Sequence, residues 1–348
     1  MSRRRKPWLP VSGFRLCIFR TSGRMLECRN FSASDVTGVS PISIMDKRPV
    51  IICLALAVLH THACAQFTDP RTYENTPVGI NQLELAYAYV RSNTSIDTSF
   101  IVSGAKFNLN QGLIDYTRYF AFLHRTAWVE ASVPIANLSG SITGTDITGS
   151  TTGTGDSGYT AAILLKGGPA LSPEQFSNAV TTTSIGLSLS TTAPTGQYDP
   201  NKLLNLGSDR WSFKPELAIS KPFGPEQRWV FDAYANAYLY TDNTSYRGAE
   251  VLRQRALFGL EGHISYTFNN AIWASLDSRY SFRGDTTVSG VNQGDRQRNF
   301  ILGSELVVSP NSRNSFTFEF AKAAVHRNGP SLTGFAVRYD YTWGNGYR

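Results

Sequence analysis

From Asn81 onward, apolar and polar residues alternate with a period of two through one segment after another. Residues 211–220 show the pattern unbroken: Trp211, Phe213, Pro215, Leu217 and Ile219 fall on one side, and Ser212, Lys214, Glu216, Ala218 and Ser220 on the other. This is the period of a β-strand with one apolar and one polar face. Twelve such segments are predicted, near residues 83–89, 112–122, 125–134, 159–166, 184–190, 211–220, 229–239, 255–268, 272–282, 299–308, 316–320 and 335–343. The second departs from the rule, because Arg118 shares a side with Ile114, Tyr116, Phe120 and Phe122. A bulge or an interfacial position would accommodate it.

The connections alternate in length. Short ones fall at 123–124, 221–228, 269–270 and 309–312; long ones span 92–111, 137–158, 194–210, 241–254, 283–297 and 324–333. One connection, 167–180, is long where a short one is due, and one helical turn is expected in it around 173–176. Residues 140–158, rich in Gly, Ser and Thr, read as a flexible extracellular loop with no calcium repeat and no phosphate-loop lysine.

Ahead of the strands the chain changes character. In residues 45–65, Lys47 and Arg48 precede an apolar run at 50–59 and the small-residue site Ala63-Cys64-Ala65. That is a secretory signal pattern, too short to span a bilayer as a helix, with cleavage after Ala65 and a mature start at Gln66. A lipoprotein anchor on Cys64 is the rival. Residues 1–44 are basic and without period, and are expected to be a mis-called or unstructured extension ahead of Met45, with an organelle transit peptide as the alternative. Residues 66–80, with Pro70 and Pro77, read as an irregular periplasmic tether, and 81–348 as the folded domain.

Charge and cysteine sharpen this division. The 348 residues carry a net charge of +7, but ten of the 33 basic and three of the 26 acidic residues fall within the first 48, leaving 23 of each in the remainder. A neutral folded part argues against nucleic acid as partner. Cys17, Cys28, Cys53 and Cys64 all precede Gln66, which excludes a disulfide framework or thiolate metal site beyond it and suits an oxidising compartment.

A signal sequence, twelve antiparallel strands, short turns at one end and long polar loops at the other predict an all-β fold. The expected form is a transmembrane up-and-down β-barrel in the bacterial outer membrane. Hydrocarbon offers no hydrogen-bond partners, so only a helix or a closed sheet crosses it. Trp211, Trp229, Phe268, Phe282 and Trp343, near strand ends, are candidates for the aromatic girdles at the two interfaces. The competing fold is a secreted β-sandwich with its apolar faces packed together. Charges at strand centres confined to the polar faces weigh against it.

Several stretches carry a family resemblance: Pro194-Thr195-Gly196-x-Tyr198-Asp199, Leu204-Asn205-Leu206-Gly207-Ser208-x-Arg210-Trp211, Phe213-Lys214-Pro215-Glu216, Val133-Pro134 and Gly168-Pro169-Ala170-Leu171. Over residues 81–348 the chain resembles the outer-membrane transporter family of the MetA-pathway of phenol degradation. The resemblance implies a transporter for aromatic or hydrophobic compounds.

The ionisable residues on the polar faces are the candidate pore lining: Glu84, Glu130, Lys214, Glu216, Asp232, Arg255, Glu261, His263, Asp277, Arg279, Glu305, Glu319, Arg338 and Asp340. Their mixed signs allow a paired lattice filling the barrel as well as a charged path for solutes. His124, His263 and His326 are too scattered for a metal site, and no cofactor is expected. A lumenal hydrolase would rest on His263 and Ser265, two residues apart on one face, which is a weak basis for a nucleophile and base. The reading that emerges is a passive channel whose partners are membrane lipid and small solutes. The alternative is a non-conducting structural or adhesion barrel with partner-binding loops. Oligomeric state is not legible. N-terminal sequencing of the secreted protein is expected to begin at Gln66, and a product that retains any of residues 1–44 would overturn both the start and the cleavage site.

Overall fold

The computed structural model describes residues 68–93, 105–202 and 204–344. The expected signal sequence, the extension ahead of it, the expected start at Gln66 and the last four residues lie outside these. In chain order the strands are β1 (Ile80–Ser92), β2 (Ala105–Phe122), β3 (Arg125–Ile142), β4 (Thr148–Thr154), β5 (Ser157–Lys166), β6 (Ser184–Ala193), β7 (Ser212–Phe223), β8 (Trp229–Tyr240), β9 (Asn243–Tyr246), β10 (Glu250–Gln254), β11 (Leu257–Asn269), β12 (Ile272–Arg283), β13 (Thr286–Val288), β14 (Val291–Asn292), β15 (Gln297–Asn311), β16 (Asn314–Arg327) and β17 (Thr333–Gly344). Twelve of them form one antiparallel barrel, in the order β1-β2-β3-β5-β6-β7-β8-β11-β12-β15-β16-β17. β1 closes it, pairing with β17 from Ile80↔Gly344 to Arg91↔Thr333 and with β2 from Asn81↔Arg118 to Ser92↔Phe107. Closure removes the unpaired edges that an open sheet would present to lipid.

The barrel is apolar outside and polar inside, the reverse of a water-soluble core. Leu276 on β12 is 67% exposed, whereas Asp232 on β8 is fully buried in the interior. Leu85, Ile114, Val133, Leu217, Leu260 and Phe318 share the outer surface with Leu276. Such a surface is unstable in water and suits hydrocarbon. Arg118 lies on this outer side at the short-turn end, where its Nη1 donates to the Gly79 carbonyl at 3.3 Å and to Asn81 Oδ1 at 2.8 Å. The interfacial position, not a bulge, accounts for it. Trp229, Phe268 and Trp343 stand outside the same end, with Trp229 against Tyr266 at 4.7 Å and Tyr266 against Phe268 at 5.1 Å between ring centroids. Trp211 and Phe282 stand at the long-loop end, Phe282 stacked 5.6 Å from Phe258.

The long loops contain more regular structure than their composition predicts. β3 runs on to Ile142 and β4 folds back on its upper half, from Ile135↔Thr154 to Ser141↔Thr148. The stretch 140–158 is therefore largely strand, and the expected flexible loop is corrected: Thr-rich segments paired along an existing edge satisfy their backbone groups locally. Pro134 marks the switch, since β5 pairs with β3 only up to Ser132↔Gly158, and the Pro134 carbonyl accepts from Gly155 N at 3.0 Å. β9, β10, β13 and β14 form a second small sheet at the same end. The predicted helical turn is present as α1 (Pro173–Phe176), with a capping box between Ser172 and Gln175.

Residues 194–202 and 204–211 are held over the mouth by one carboxylate. Asp156 Oδ1 accepts from Gly196 N at 2.8 Å; Oδ2 accepts from Ser208 N at 2.8 Å and Ser208 Oγ at 2.6 Å. The approach demands glycine, because a Cβ on Gly207 would lie 2.7 Å from the Gly196 carbonyl oxygen. Leu206 from this loop packs on Ala105, Phe107, Ala136 and Leu138, which face inward from β2 and β3. Hydrogen bonds to a charged group are worth about 1.5–3 kcal/mol each. Asp156→Ala is therefore expected to free the loop, and trypsin should cut at the exposed Lys202 at least about tenfold faster. Unchanged cleavage would show that packing of Leu206 holds the loop instead.

Candidate functional site

The residues before β1 are not an external tether. Residues 68–77 run into the lumen and are bonded to its wall, because the polar inner faces need partners that a narrow barrel cannot draw from bulk water. Tyr73 is the anchor. Its ring packs edge-on to Trp128 at 5.5 Å and Tyr234 at 5.3 Å, within an internal apolar cluster that includes Ala162, Leu164 and Ala218. Its hydroxyl pairs with Ser188 Oγ at 2.7 Å and donates to Glu216 Oε1 at 2.9 Å. Gly186 on β6 makes room: a Cβ there would lie 2.2 Å from the Tyr73 ring. The entry point is held by the Gly168-Pro169-Ala170-Leu171 stretch. Val78 N donates to the Leu171 carbonyl at 2.9 Å, and Asn75 Nδ2 to the Pro169 carbonyl at 3.2 Å.

Most of the predicted charges meet around this segment. On the β7–β12 side, Lys214 pairs with Glu216 at 3.3 Å, and Arg279 with Glu261 at 3.4 Å. Glu216 also accepts from Thr68 Oγ1 at 2.9 Å and Asn236 Nδ2 at 2.8 Å, and Glu261 from Thr68 N at 2.8 Å. Asp232 accepts from Arg71 N at 3.1 Å, while the Arg71 side chain reaches Ser265 at 2.7 Å, Thr267 at 2.9 Å and the face of Trp273 at 4.6 Å. His263 Nδ1 bonds Asp277 at 2.8 Å. Ser265, taken by Arg71, is thus engaged away from His263, so the weak hydrolase arrangement has no nucleophile–base contact.

On the opposite side, Arg338 gathers four carboxylates: Asp69 from the inserted segment, Glu84 at 3.6 Å, Glu305 at 3.4 Å and Glu319 at 2.5 Å. Oxygens of Asp69, Glu305 and Glu319 lie within 4.8 Å of one another, close enough for a metal triad, but the guanidinium already supplies their counter-charge. Asp340 accepts from Gln82 at 2.7 Å. Arg255 is a correction. It precedes β11 at the loop end, its side chain is 76% exposed, and it pairs with Asp285 at 3.4 Å outside the lumen. Extending the strand period one turn too far into the loop assigned it inward.

Two of the open volumes among the described residues bear on passage through the barrel. One, of about 410 Å³, lies at the loop end between Phe107, Ile142, Ile147, Gly149 and Leu204 and is almost wholly apolar. The other, of about 690 Å³, lies inside the barrel between the inserted segment and the wall formed by β1, β2, β3, β15, β16 and β17. Its lining reaches from Ser312 and Thr342 at the turn end to Pro134 and Asp156 near the mouth. Thr68, Asp69, Arg71 and Tyr73 were not foreseen as lumen residues, since nothing in so short a segment signals where it docks. Asp115 was legible by parity, one position from Ile114 and Tyr116 on β2.

A closed twelve-stranded barrel with a lipid-facing apolar surface, a charged lumen and an inserted N-terminal segment is an outer-membrane channel fold. Residues 91–339 match the family described as "Putative MetA-pathway of phenol degradation", and the chain belongs to that family. Among solved structures it is similar to the COG4313 outer membrane channel from Pseudomonas putida F1, at 22% identity and a TM-score of 0.68, over 80% of this chain and all of that one. A KdgM porin in complex with oligogalacturonate (10% identity, TM-score 0.40, 75% of this chain and 99% of that one) and the CymD monoaromatic hydrocarbon channel (8%, 0.40, 77% and 89%) are more distant. No curated protein matches the sequence.

Glu216 accepts hydrogen bonds from two residues of the inserted segment, Thr68 and Tyr73. With a cysteine placed at Thr72 in a chain expressed from Gln66 onward, which has no other cysteine, Glu216→Ala is expected to raise the rate of maleimide labelling at least about tenfold, the effect of roughly 1.4 kcal/mol lost from the docked state. Labelling at the native rate would assign the docking to Tyr73 packing alone.

Proposed function

We propose that the protein is an outer-membrane channel for passive diffusion of small solutes, aromatic and hydrophobic ones among them. The observation that carries this is the internal cavity of about 690 Å³, whose lining extends from the turn end of the barrel to the mouth beside the inserted segment. A barrel built only as a scaffold has no need of such a space. The apolar pocket at the loop end supports the choice of solute, because it offers a hydrophobic molecule a place out of water before it enters. The membership of a phenol-degradation family is consistent with that chemistry.

The non-conducting barrel is the second reading, and the bonds that hold Tyr73 and Thr68 across the lumen favour it. Single-channel recording of the refolded protein separates the two. The native barrel is expected to pass a small steady current, and deletion of residues 66–77 to increase it several-fold. Native barrels that insert stably and never conduct would overturn the channel.

A further inference from the structure

The two sides of the lumen differ in charge balance. Around Glu216 and Glu261, each carboxylate meets a lysine or arginine. The open cavity on the other side is lined by eight carboxylates against the guanidinium groups of Arg71 and Arg338 alone. Arg71 lies over Trp273, which lines the same cavity, and gives its side-chain hydrogen bonds to Ser265 and Thr267. Arg338 is shared among Asp69, Glu84, Glu305 and Glu319. Asp156 is committed to the loop through Gly196 and Ser208, and Asp340 to Gln82.

That leaves Asp115 and Glu130. They are diagonal neighbours on the inner face of the β2–β3 pair, where Asp115 stands opposite Ser132 and Glu130 opposite Thr117. Asp115 is only 8% exposed; its Oδ1 accepts from Thr117 at 3.1 Å, and its Oδ2, buried at the cavity wall, accepts from no donor, while the carboxyl lies within hydrogen-bond reach of Glu130. Lys214 lines the adjoining space with Glu130 but is held by Glu216. Two buried carboxyl groups in contact are held together by a shared proton or by a cation that takes its place. Tyr119 and Trp128 line the cavity next to the pair and offer apolar surface.

We propose that the passage is selective for cations and that Asp115 and Glu130 bind a monovalent cation on the way through, an alkali ion or the ammonium group of a small organic solute. The inference rests on the channel reading and adds the sign of charge that the channel accepts. It also joins the two open volumes: an apolar pocket at the mouth and an acidic station below it suit a molecule with an apolar body and a positive head.

Reversal potentials across planar bilayers with a potassium chloride gradient test it. The native barrel is expected to prefer K⁺ to Cl⁻ by about tenfold, as an acidic lumen with low-dielectric walls should. The isosteric Asp115→Asn/Glu130→Gln double variant should fall to near-equal permeability, while Asp115→Glu retains the preference. Heat-modifiable migration on gels confirms that each variant is folded. Addition of benzylammonium separates the two sources of charge. Block of the native current, absent with benzyl alcohol and relieved in the double variant, assigns the station to organic ammonium; selectivity without block assigns it to alkali ions. A native channel that is unselective or prefers Cl⁻, or a double variant with native selectivity, overturns the proposal and leaves the channel standing. Absence of current in every folded variant overturns both.

Discussion

Closure of the sheet is the constraint on which everything else depends. β1 pairs on one side with β17 and on the other with β2, so every strand has two neighbours and the backbone hydrogen bonds are met within the wall. Once closed, the period of two sends every second side chain outward to lipid and every other one inward. The outer set then has to be apolar and the inner set is free to be polar. With twelve strands the inner set is crowded, and Glu216, Glu261, Asp232 and Arg279 are each at least 96% buried. Charges so placed persist only with partners. Part of the supply comes from the wall and part from residues 68–77, whose backbone N–H groups at Thr68 and Arg71 donate to Glu261 and Asp232.

The inserted segment is therefore a component of the lumen rather than an addition to it. Its contacts divide by type. Tyr73 supplies packing against Trp128 and Tyr234, which fixes its depth. Thr68 and Arg71 supply hydrogen bonds to one wall, and Asp69 supplies charge to Arg338 on the other. Because these partners sit on different sides, the segment crosses the lumen and leaves its open space to one side, along β1, β2, β3, β15, β16 and β17. The shape of any path follows from that asymmetry.

The barrel itself was legible in the sequence because its signal is redundant. Parity assigned Leu217 outward and Glu216 inward from the residues alone, and the same held for Leu276 and Asp277. Arg255 failed because parity has meaning only inside the paired strand, and β11 begins at Leu257. The folded state of 140–158 failed for a different reason. Gly and Thr there are compatible with both a mobile loop and an edge-paired strand, and the decision is made by a neighbour, β3, that runs on past its pairing with β5. The docking of Tyr73 was illegible in principle from local pattern. Its site is assembled from β3, β5, β6, β7 and β8, and Gly186, which admits the ring, looks like any glycine in a strand.

The family stretches gain a physical meaning that differs from a ligand site. Pro134 lies where the strand beside β3 changes from β5 to β4, and Pro215 lies where the β7–β8 pairing is interrupted, at constant register, between Phe213↔Leu239 and Glu216↔Asn236. Proline removes a donor, so both positions locally release the ladder. The Gly168–Leu171 stretch receives the N-terminal segment as it enters, and the Gly196–Ser208 stretch is drawn down on Asp156 over the mouth. These residues shape the two ends of the passage. The residues that meet a solute lie between them, on inner faces where the sequence is merely alternating. For that reason the discriminating chemistry falls on Asp115 and Glu130, which belong to none of these stretches, and whose significance appears only when the other carboxylates of the cavity have been matched to their partners.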